Sequence, residues 1–172
     1  LNGDEYDGIM NYGVTKACLD LLAFHTIDSR LFRDRIVRLY HTYSIAANQK
    51  MLNLLDSHDT DRFLTRVKGD AGRFRTAAAI MFNPGIPCVY YGDEIGMEGG
   101  YDPDCRRTFE WNEENWDKDT RNLIKQLMKL KKGPALSDGD FGVEEKDGII
   151  TFTRSADKQT IKLRVNGTPR VN

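Results

Sequence analysis

The chain has 172 residues, of which 40% are hydrophobic and 30% charged, and its formal net charge is −1. This is the composition of a globular domain, and the small charge gives no electrostatic reason to expect nucleic acid or an anionic membrane as a partner. No apolar stretch approaches the roughly 20 residues that span a bilayer. The three cysteines, an odd count, argue against a disulfide framework, so we predict a reducing, cytoplasmic location.

The chain opens at Leu1 in a polar, loop-like segment, and we expect it to be a piece of a longer protein. Apolar runs typical of strands then lie at residues 6–12, 51–56 and 86–91. Helical patterns follow them, through Ala23 and at residues 31–48, 70–82 and 120–132. Strands that alternate with helices in this way form parallel sheets with right-handed crossovers.

The composition changes near residue 137, where the helical patterns end. Three short β-rich runs follow, at residues 141–143, 148–153 and 160–165, and Asp147-Gly148 is a hairpin turn signal between the first two. We therefore predict a small antiparallel sheet appended to a parallel α/β unit. The predicted domains are residues 1–136 and 137–172.

Two polar residues, His58 and Asp59, come directly after the apolar run at 51–56. In α/β folds, ligand chemistry gathers at the C-terminal ends of the strands. A histidine beside a carboxylate at such a position is a candidate for gripping a polar substrate. The alternative is that His58 caps a neighbouring loop and that Asp59 is the N-cap of the next helix.

A long, charged, glycine-rich loop over residues 96–117 exceeds the usual connection length, and such loops are usually functional. Cys105 lies in this polar segment, which predicts partial exposure. Cys18 and Cys88 lie in apolar patterns, which predict core positions. No His, Cys, Asp or Glu cluster has metal-ligand spacing, so we predict neither a metal site nor a cofactor.

Four stretches of the sequence resemble the α-amylase superfamily of glycoside hydrolases. Residues 7–12 (DGIMNY), 54–60 (LLDSHDT) and 85–97 (GIPCVYYGDEIGM) look like its strand-six, strand-seven and strand-eight signatures. Residues 99–107 (GGYDPDCRR) are most similar to the neopullulanase, cyclomaltodextrinase and maltogenic amylase branch. The resemblance implies an α/β fold: the last three βα units of a (β/α)8 TIM barrel, followed by a small truncated antiparallel β domain.

The resemblance also implies roles for the residues after the second predicted strand. Retaining glycosidases use two carboxyl groups about 5–5.5 Å apart, and in this family they lie on strands four and five, outside this sequence. A third carboxylate, which stabilises the transition state, corresponds to Asp59. His58 would donate a hydrogen bond to a hydroxyl of the sugar being cleaved.

Other positions correspond to substrate contacts in the family. Asp102 and Arg106 resemble a pair that contacts the next sugar, and the alternative is a salt bridge within the loop. Asn11 and Tyr12 match positions at the rim of the barrel, and the alternative for Tyr12 is packing beneath the loop. Trp111 and Trp116 either stack on sugar rings or anchor the loop. At one further position, Tyr101, relatives usually carry asparagine.

These correspondences predict part of an enzyme that acts on maltooligosaccharides or other α-glucans. Alone, the chain is expected to be inactive, because the nucleophile and the general acid lie elsewhere. One alternative is a non-catalytic carbohydrate-binding protein. Another is a half barrel that associates with a missing N-terminal half, or with a second copy, through its open sheet edges. An α-glucan transglycosylase would share the same motifs.

Overall fold

A computed structural model of the protein describes residues 6–167. Its parallel sheet consists of β1 (Leu52–Leu54) and β2 (Ile86–Cys88), with Leu52 opposite Ile86. Met10 adds an isolated parallel bridge to Leu52. The three predicted apolar runs are therefore neighbours in a parallel arrangement, although the first contributes one bridge rather than a strand.

Helices follow each of these segments. They are α1 (Tyr12–Leu22), α2 (Ser29–Thr42), α3 (Ile45–Lys50), α4 (Phe63–Arg66), α5 (Ala71–Met81), α6 (Lys118–Lys131) and α7 (Pro134–Ser137). Aspartates begin three of the longer ones: Asp28, Asp70 and Asp117 each accept a backbone N–H three residues on, at 2.8–3.0 Å. These bonds satisfy donors that the first helical turn leaves unpaired. None of the helices within residues 6–167 has the length and apolarity needed to cross a membrane.

The single helix predicted over residues 31–48 is wrong, because two helices occupy that span. The backbone of Tyr43 and Ser44 is extended, and the Ser44 hydroxyl accepts the Ala47 N–H at 3.2 Å as the cap of α3. The Asn48 amide donates to the carbonyls of Tyr40 and Tyr43 at 2.6 and 3.1 Å. Side-chain hydrogen bonds thus replace the backbone bonds that one continuous helix would make.

The appended sheet has the order β3-β4-β5, with all pairs antiparallel. Its strands are β3 (Asp140–Lys146), β4 (Ile149–Ala156) and β5 (Gln159–Asn166). Asp147, Gly148 and Asp157 take positive φ in the two hairpin turns, as such turns require. The predicted antiparallel sheet is confirmed.

This sheet packs one face against the helices. Ile150 and Phe152 of β4 are buried in the same core as Phe32 of α2, with the rings of Phe32 and Phe152 6.3 Å apart edge to face. The short helix α7 packs against β4 and β5. Because α7 spans residues 134–137, the predicted boundary after residue 136 falls inside a packed element, and it stays a prediction.

One side of the parallel sheet is partly open. Met10, Leu52 and Ile86 expose 40%, 37% and 46% of their surface, and Cys88 is also exposed. Leu55, by contrast, lies in the main core. Leu54 lies on the same face as Leu52, two residues on along the strand, and it is buried, so this face is open only in part. A parallel sheet covered by helices on one face and partly open on the other fits part of a TIM barrel, whose strands are buried on both faces when the barrel is whole.

Candidate functional site

A tight turn follows β1 and carries His58 and Asp59. Ser57 and Thr60 close it, with the Ser57 N–H donating to the Thr60 hydroxyl at 3.1 Å and the Asp59 N–H donating to the Ser57 hydroxyl at 3.2 Å. The side chains of His58 and Asp59 are 60% and 69% exposed. The alternative reading of Asp59 as a helix N-cap is wrong, because the next helix begins at Phe63 and its cap is Arg62.

Arg106 joins the predicted residues of this region. Its Nε lies 2.7 Å from Asp102 Oδ1 and 3.0 Å from the His58 carbonyl oxygen, and its Nη2 lies 3.3 Å from Asp59 Oδ1. His58 Nε2 is 3.3 Å from the other Asp59 oxygen. His58, Asp59, Asp102 and Arg106 thus form one group at the C-terminal end of β1, which we call the rim cluster.

The loop that carries Asp102 and Arg106 is fastened by its neighbours. Arg107 binds both carboxylate oxygens of Asp104, at 2.7 and 2.8 Å, and this guanidinium lowers the pKa of Asp104. The Tyr91 hydroxyl donates to the Arg107 carbonyl at 2.8 Å. Cys105 is fully buried, against the predicted exposure, and its thiol lies 3.2 Å from the His58 carbonyl oxygen.

A second set of charged groups, Asp56, Arg62 and Asp93, lies buried next to the same turn. Arg62 Nη1 is 2.8 Å from the Tyr91 carbonyl oxygen and 3.3 Å from Asp93 Oδ1. Asp56 Oδ2 accepts the Phe63 N–H at 2.5 Å. Burial raises the pKa of Asp56, and it raises that of Asp93 well above its usual range, with the charge of Asp56 adding to the effect. We call these three residues the buried cluster.

Two tyrosines pack against this cluster. The Arg62 guanidinium carbon lies 4.5 Å from the ring centre of Tyr90 and 4.9 Å from that of Tyr91. Burial raises the pKa of Tyr90 to about 12. The rings shield the guanidinium from water and interact favourably with its charge.

Asn11 and Tyr12 stand apart from the rim cluster in their polar contacts. The Asn11 amide donates to Asn53 Oδ1 at 2.9 Å, and the Tyr12 hydroxyl lies 3.6 Å from the Met10 sulfur. Among the described residues, no hydrogen bond or ion pair joins either side chain to Arg106 or its partners. Tyr12 is 54% exposed and Asn11 is half-buried, so both remain predictions as substrate contacts.

The two tryptophans differ in their surroundings. Trp116 donates from its indole to the Glu110 carbonyl at 2.6 Å and lies under the Arg121 guanidinium, so it anchors the loop. Trp111 is 77% exposed and packs its ring edge against Phe109. Trp111 therefore presents an apolar surface to solvent.

Sequence reasoning assigned no role to Arg62, Asp56 or Asp93. The available signal was a carboxylate at the end of an apolar strand, since such a group has to find a partner when it is buried. In the part of the chain that the structure describes, no group of three His, Cys, Asp or Glu side chains lies close enough to hold a metal ion. The rim cluster offers hydrogen-bond donors and acceptors to a polar ligand.

The α-amylase catalytic domain model matches residues 1–135. The chain belongs to the α-amylase family. A cyclomaltodextrinase from Thermoanaerobacter pseudethanolicus is 41% identical over 173 residues, and an intracellular maltogenic amylase from Bacillus subtilis is 36% identical over 167. These alignments cover 99% and 94% of this chain. Neopullulanase 2 from Thermoactinomyces vulgaris is also similar, at 35% identity, so the predicted branch of the family is confirmed.

Solved structures of α-amylase family members agree. The cyclic α-maltosyl-(1→6)-maltose hydrolase from Arthrobacter globiformis superposes with a TM-score of 0.91 at 34% identity, over 96% of this chain and 38% of that one. The chain spans about 30% of the length of the curated relatives it matches. The fold is therefore a part of the α-amylase barrel together with a β domain.

Proposed function

We propose that this chain is the C-terminal part of an α-glucan-acting retaining glycosidase of the cyclomaltodextrinase branch, and that it holds the last three βα units of the barrel. The observation that carries the proposal is the rim cluster, in which Arg106 brings Asp102, Asp59 and His58 together at the end of β1. Ligands of β/α barrels bind at this end of the strands.

In this proposal Asp59 is the carboxylate that stabilises the transition state. An ionised carboxylate accepts hydrogen bonds from sugar hydroxyls, and these strengthen as positive charge develops on the ring. His58 supplies a donor to the same sugar. Asp102 and Arg106 bind the next sugar, and Asn11 and Tyr12 provide further contacts.

The ion pairs of the rim cluster are compatible with this role. Asp59 and Arg106 expose 69% and 46% of their side chains and lie 3.3 Å apart. Solvent-exposed pairs contribute only about 0–1 kcal/mol, so a sugar hydroxyl can replace the guanidinium at Asp59 at small cost. The polar groups of the rim cluster can therefore exchange their contacts with each other for contacts with a sugar.

The substrate class follows from the relatives. Cyclomaltodextrinase and maltogenic amylase are names of relatives that match nearly the whole chain, and a solved relative is described in complex with maltose. We infer maltooligosaccharides as the ligands of the rim cluster. The name of the Bacillus subtilis relative also supports a cytoplasmic location.

Hydrolysis requires groups that this proposal places outside the chain. A stabilising carboxylate without a nucleophile and a general acid has no transition state to act on. The exposed apolar side chains of Met10, Leu52, Ile86 and Cys88 support the proposal that the chain holds only the last three βα units of a barrel. The remaining strands of a barrel, or another copy of the half barrel, would pair with the open sheet edges and so enclose the face on which these side chains lie.

Titration calorimetry with maltotriose tests the binding role. We expect millimolar binding by the unmodified chain and loss of measurable heat in Asp59→Ala. Asp61→Ala is the matched control, because Asp61 pairs with Arg66 rather than with the rim cluster, and it is expected to bind as the parent does. Absence of binding by the parent chain would contradict the proposed rim, and hydrolysis that stays with the purified chain would contradict the assigned roles.

A further inference from the structure

The buried cluster is used by none of the roles proposed above. The side chains of Arg62 and Asp93 are 0% and 5% exposed, and Asp56 exposes 4% of its surface. Groups of this kind are rarely buried without full compensation by partners.

The charges of the buried cluster do not balance if all three groups are ionised. Two carboxylates and one guanidinium carry a net charge of −1, and Glu94 adds a further negative charge beside Asp93. Burial of a net charge away from water is costly, and a buried acid commonly keeps its proton instead. One retained proton would make the cluster neutral.

The hydrogen bonds point to the place of this proton. Asp56 Oδ2 accepts the Phe63 N–H, but Asp56 Oδ1 is buried and has no donor among the described residues. Arg62 Nε and Nη2 are also buried without an acceptor, so neither of these guanidinium nitrogens is bonded to that oxygen. Arg62 brings the two acids together, because its Nη1 lies 3.3 Å from Asp93 Oδ1 and the backbone N–H of the next residue, Phe63, donates to Asp56. Two ionised carboxylates both lack a donor, whereas a protonated carboxyl supplies one O–H. A single proton held between the two acids therefore satisfies the unpaired oxygen.

We propose that Asp56 and Asp93 share one proton at neutral pH and that the resulting neutral cluster, completed by Arg62, positions the turn that carries His58 and Asp59. The proton belongs to the pair as a unit, as is usual for strongly interacting acids. The cluster contacts no substrate in this proposal, so its members are positioning residues.

The placement of the three residues explains how they hold the turn. Asp56 lies just before the turn, and Arg62 lies just after it. The backbone N–H of Arg62 donates to the Gly99 carbonyl at 2.9 Å, and this bond connects the turn to the loop of Asp102 and Arg106. Asp93 belongs to a 3-10 turn, Asp93–Ile95, that follows β2. The buried cluster thus holds both ends of the turn that carries His58 and Asp59, which we call the rim turn, against the C-terminal end of β2.

The charged and titratable groups around the pair are few. Glu94 lies on the same 3-10 turn, and its carboxylate accepts the Gly92 N–H at 2.8 Å. The rings of Tyr90 and Tyr91 cover Arg62, and the Cys105 thiol lies 3.2 Å from the His58 carbonyl oxygen on the neighbouring turn. Asp56 and Asp93 are both buried in this group, and burial raises the pKa of each, so a retained proton identifies this pair.

This inference deepens the proposed function, because it concerns the support of the same rim, but its test does not depend on sugar binding. Infrared spectroscopy distinguishes the C=O band of a protonated carboxyl from the bands of carboxylates. At pH 7 we expect one such band in the unmodified chain and its loss in Asp93→Asn. We also expect its loss in Asp56→Asn, because the remaining acid then ionises to balance Arg62. Asp61→Asn is the control and keeps the band.

A wild-type spectrum without the band at pH 7, or a band that survives in both variants, would overturn the proposal. The wild-type spectrum alone decides the first outcome, so the test remains valid if a variant does not fold. A pH titration of the same sample gives the midpoint at which the shared proton leaves.

A positioning role has its own signature. The pKa of the pair is raised in the folded state, so the folded protein binds more protons than the unfolded chain and its stability falls as the pH rises through the midpoint. Asp93→Asn carries a neutral donor at every pH and should lack this decline. In nuclear magnetic resonance spectra, the backbone amides of Asp59 and Gly99 should shift at the infrared midpoint in the parent but not in Asp93→Asn. Identical profiles for parent and variant would refute the positioning role.

Discussion

The rim cluster and the buried cluster both combine aspartates with an arginine, and both have members within residues 56–62, yet water reaches only one of the two clusters. The side chains of the rim cluster are 44–69% exposed, whereas no member of the buried cluster exposes more than 5%. In water, ion pairs are weak and partners exchange readily. Away from water, the removal of one partner leaves an uncompensated charge. The same chemistry is therefore suited to exchange partners with a ligand in one place and to fix the fold in the other.

The largest effect is expected from Arg62→Met. The change leaves the Asp56 and Asp93 pair without its only buried cation and removes the hydrogen bond to the Tyr91 carbonyl. We expect the free energy of unfolding in urea to fall by about 3–5 kcal/mol, as for other buried pairs that lose one partner. Arg66→Met is the matched control, because Arg66 and its partner Asp61 are both about 30% exposed. Equal losses in the two variants would remove the distinction between the clusters.

A capping aspartate sharpens the comparison, because it is exposed and yet contributes to stability. Asp28 accepts the Leu31 N–H at 2.8 Å at the start of α2. Asp28→Ala leaves that donor unpaired and should lower the free energy of unfolding by about 1 kcal/mol. Asp28→Asn keeps an acceptor and should lose much less in the same chemical denaturation experiment. A full loss in the asparagine variant would assign the effect to charge instead of the cap.

Lys131 extends the comparison to a half-buried cation at the junction of α6 with the appended sheet. Burial, together with the charge of Arg154, lowers its pKa to about 8. The unfolded chain then binds more protons than the folded protein above this pH, so stability should rise as the pH increases from about 8 toward the ordinary lysine value of about 10.4. Lys131→Met should remove this rise in thermal unfolding. Lys132→Met, at an exposed position, should keep it.

The smallest effect on stability is expected from Arg106→Gln in the rim cluster. Its partners are exposed, so the loss should stay below about 1 kcal/mol. Maltotriose binding should nevertheless weaken measurably in calorimetry, because Arg106 is the residue that joins Asp102 to Asp59. A large loss of stability without a change in binding would reverse the roles drawn for the two clusters.

Local patterns were sufficient to predict most of the secondary structure. Aspartate caps and glycine turns mark where the helices and hairpins begin and end. The interruption at Tyr43-Ser44 escaped prediction because apolar residues continue at helical spacing across it. The family resemblance assigned Asp59 and Arg106 to neighbouring sugars of one substrate, but the contact between them was not predicted, because nothing in their spacing along the chain brings them together.

Burial was harder to predict than secondary structure. Cys105 was expected to be partly exposed because its neighbours in the sequence are polar, but it packs beneath the rim turn. Cys88 was expected in the core because its strand is apolar, but it lies on the open face of the sheet. Exposure depends on what packs across from a residue, and the sequence near a residue does not describe its neighbours in space.

The position of Cys88 has a practical consequence. It is the single exposed thiol of the three, since Cys18 and Cys105 are buried. A maleimide dye should therefore attach selectively to the strand face on which a complementing half barrel would dock. Covering that face would slow the labelling reaction. In a mixture of this chain with a complementing half barrel, the labelling rate would therefore report completion of the barrel without an enzymatic assay.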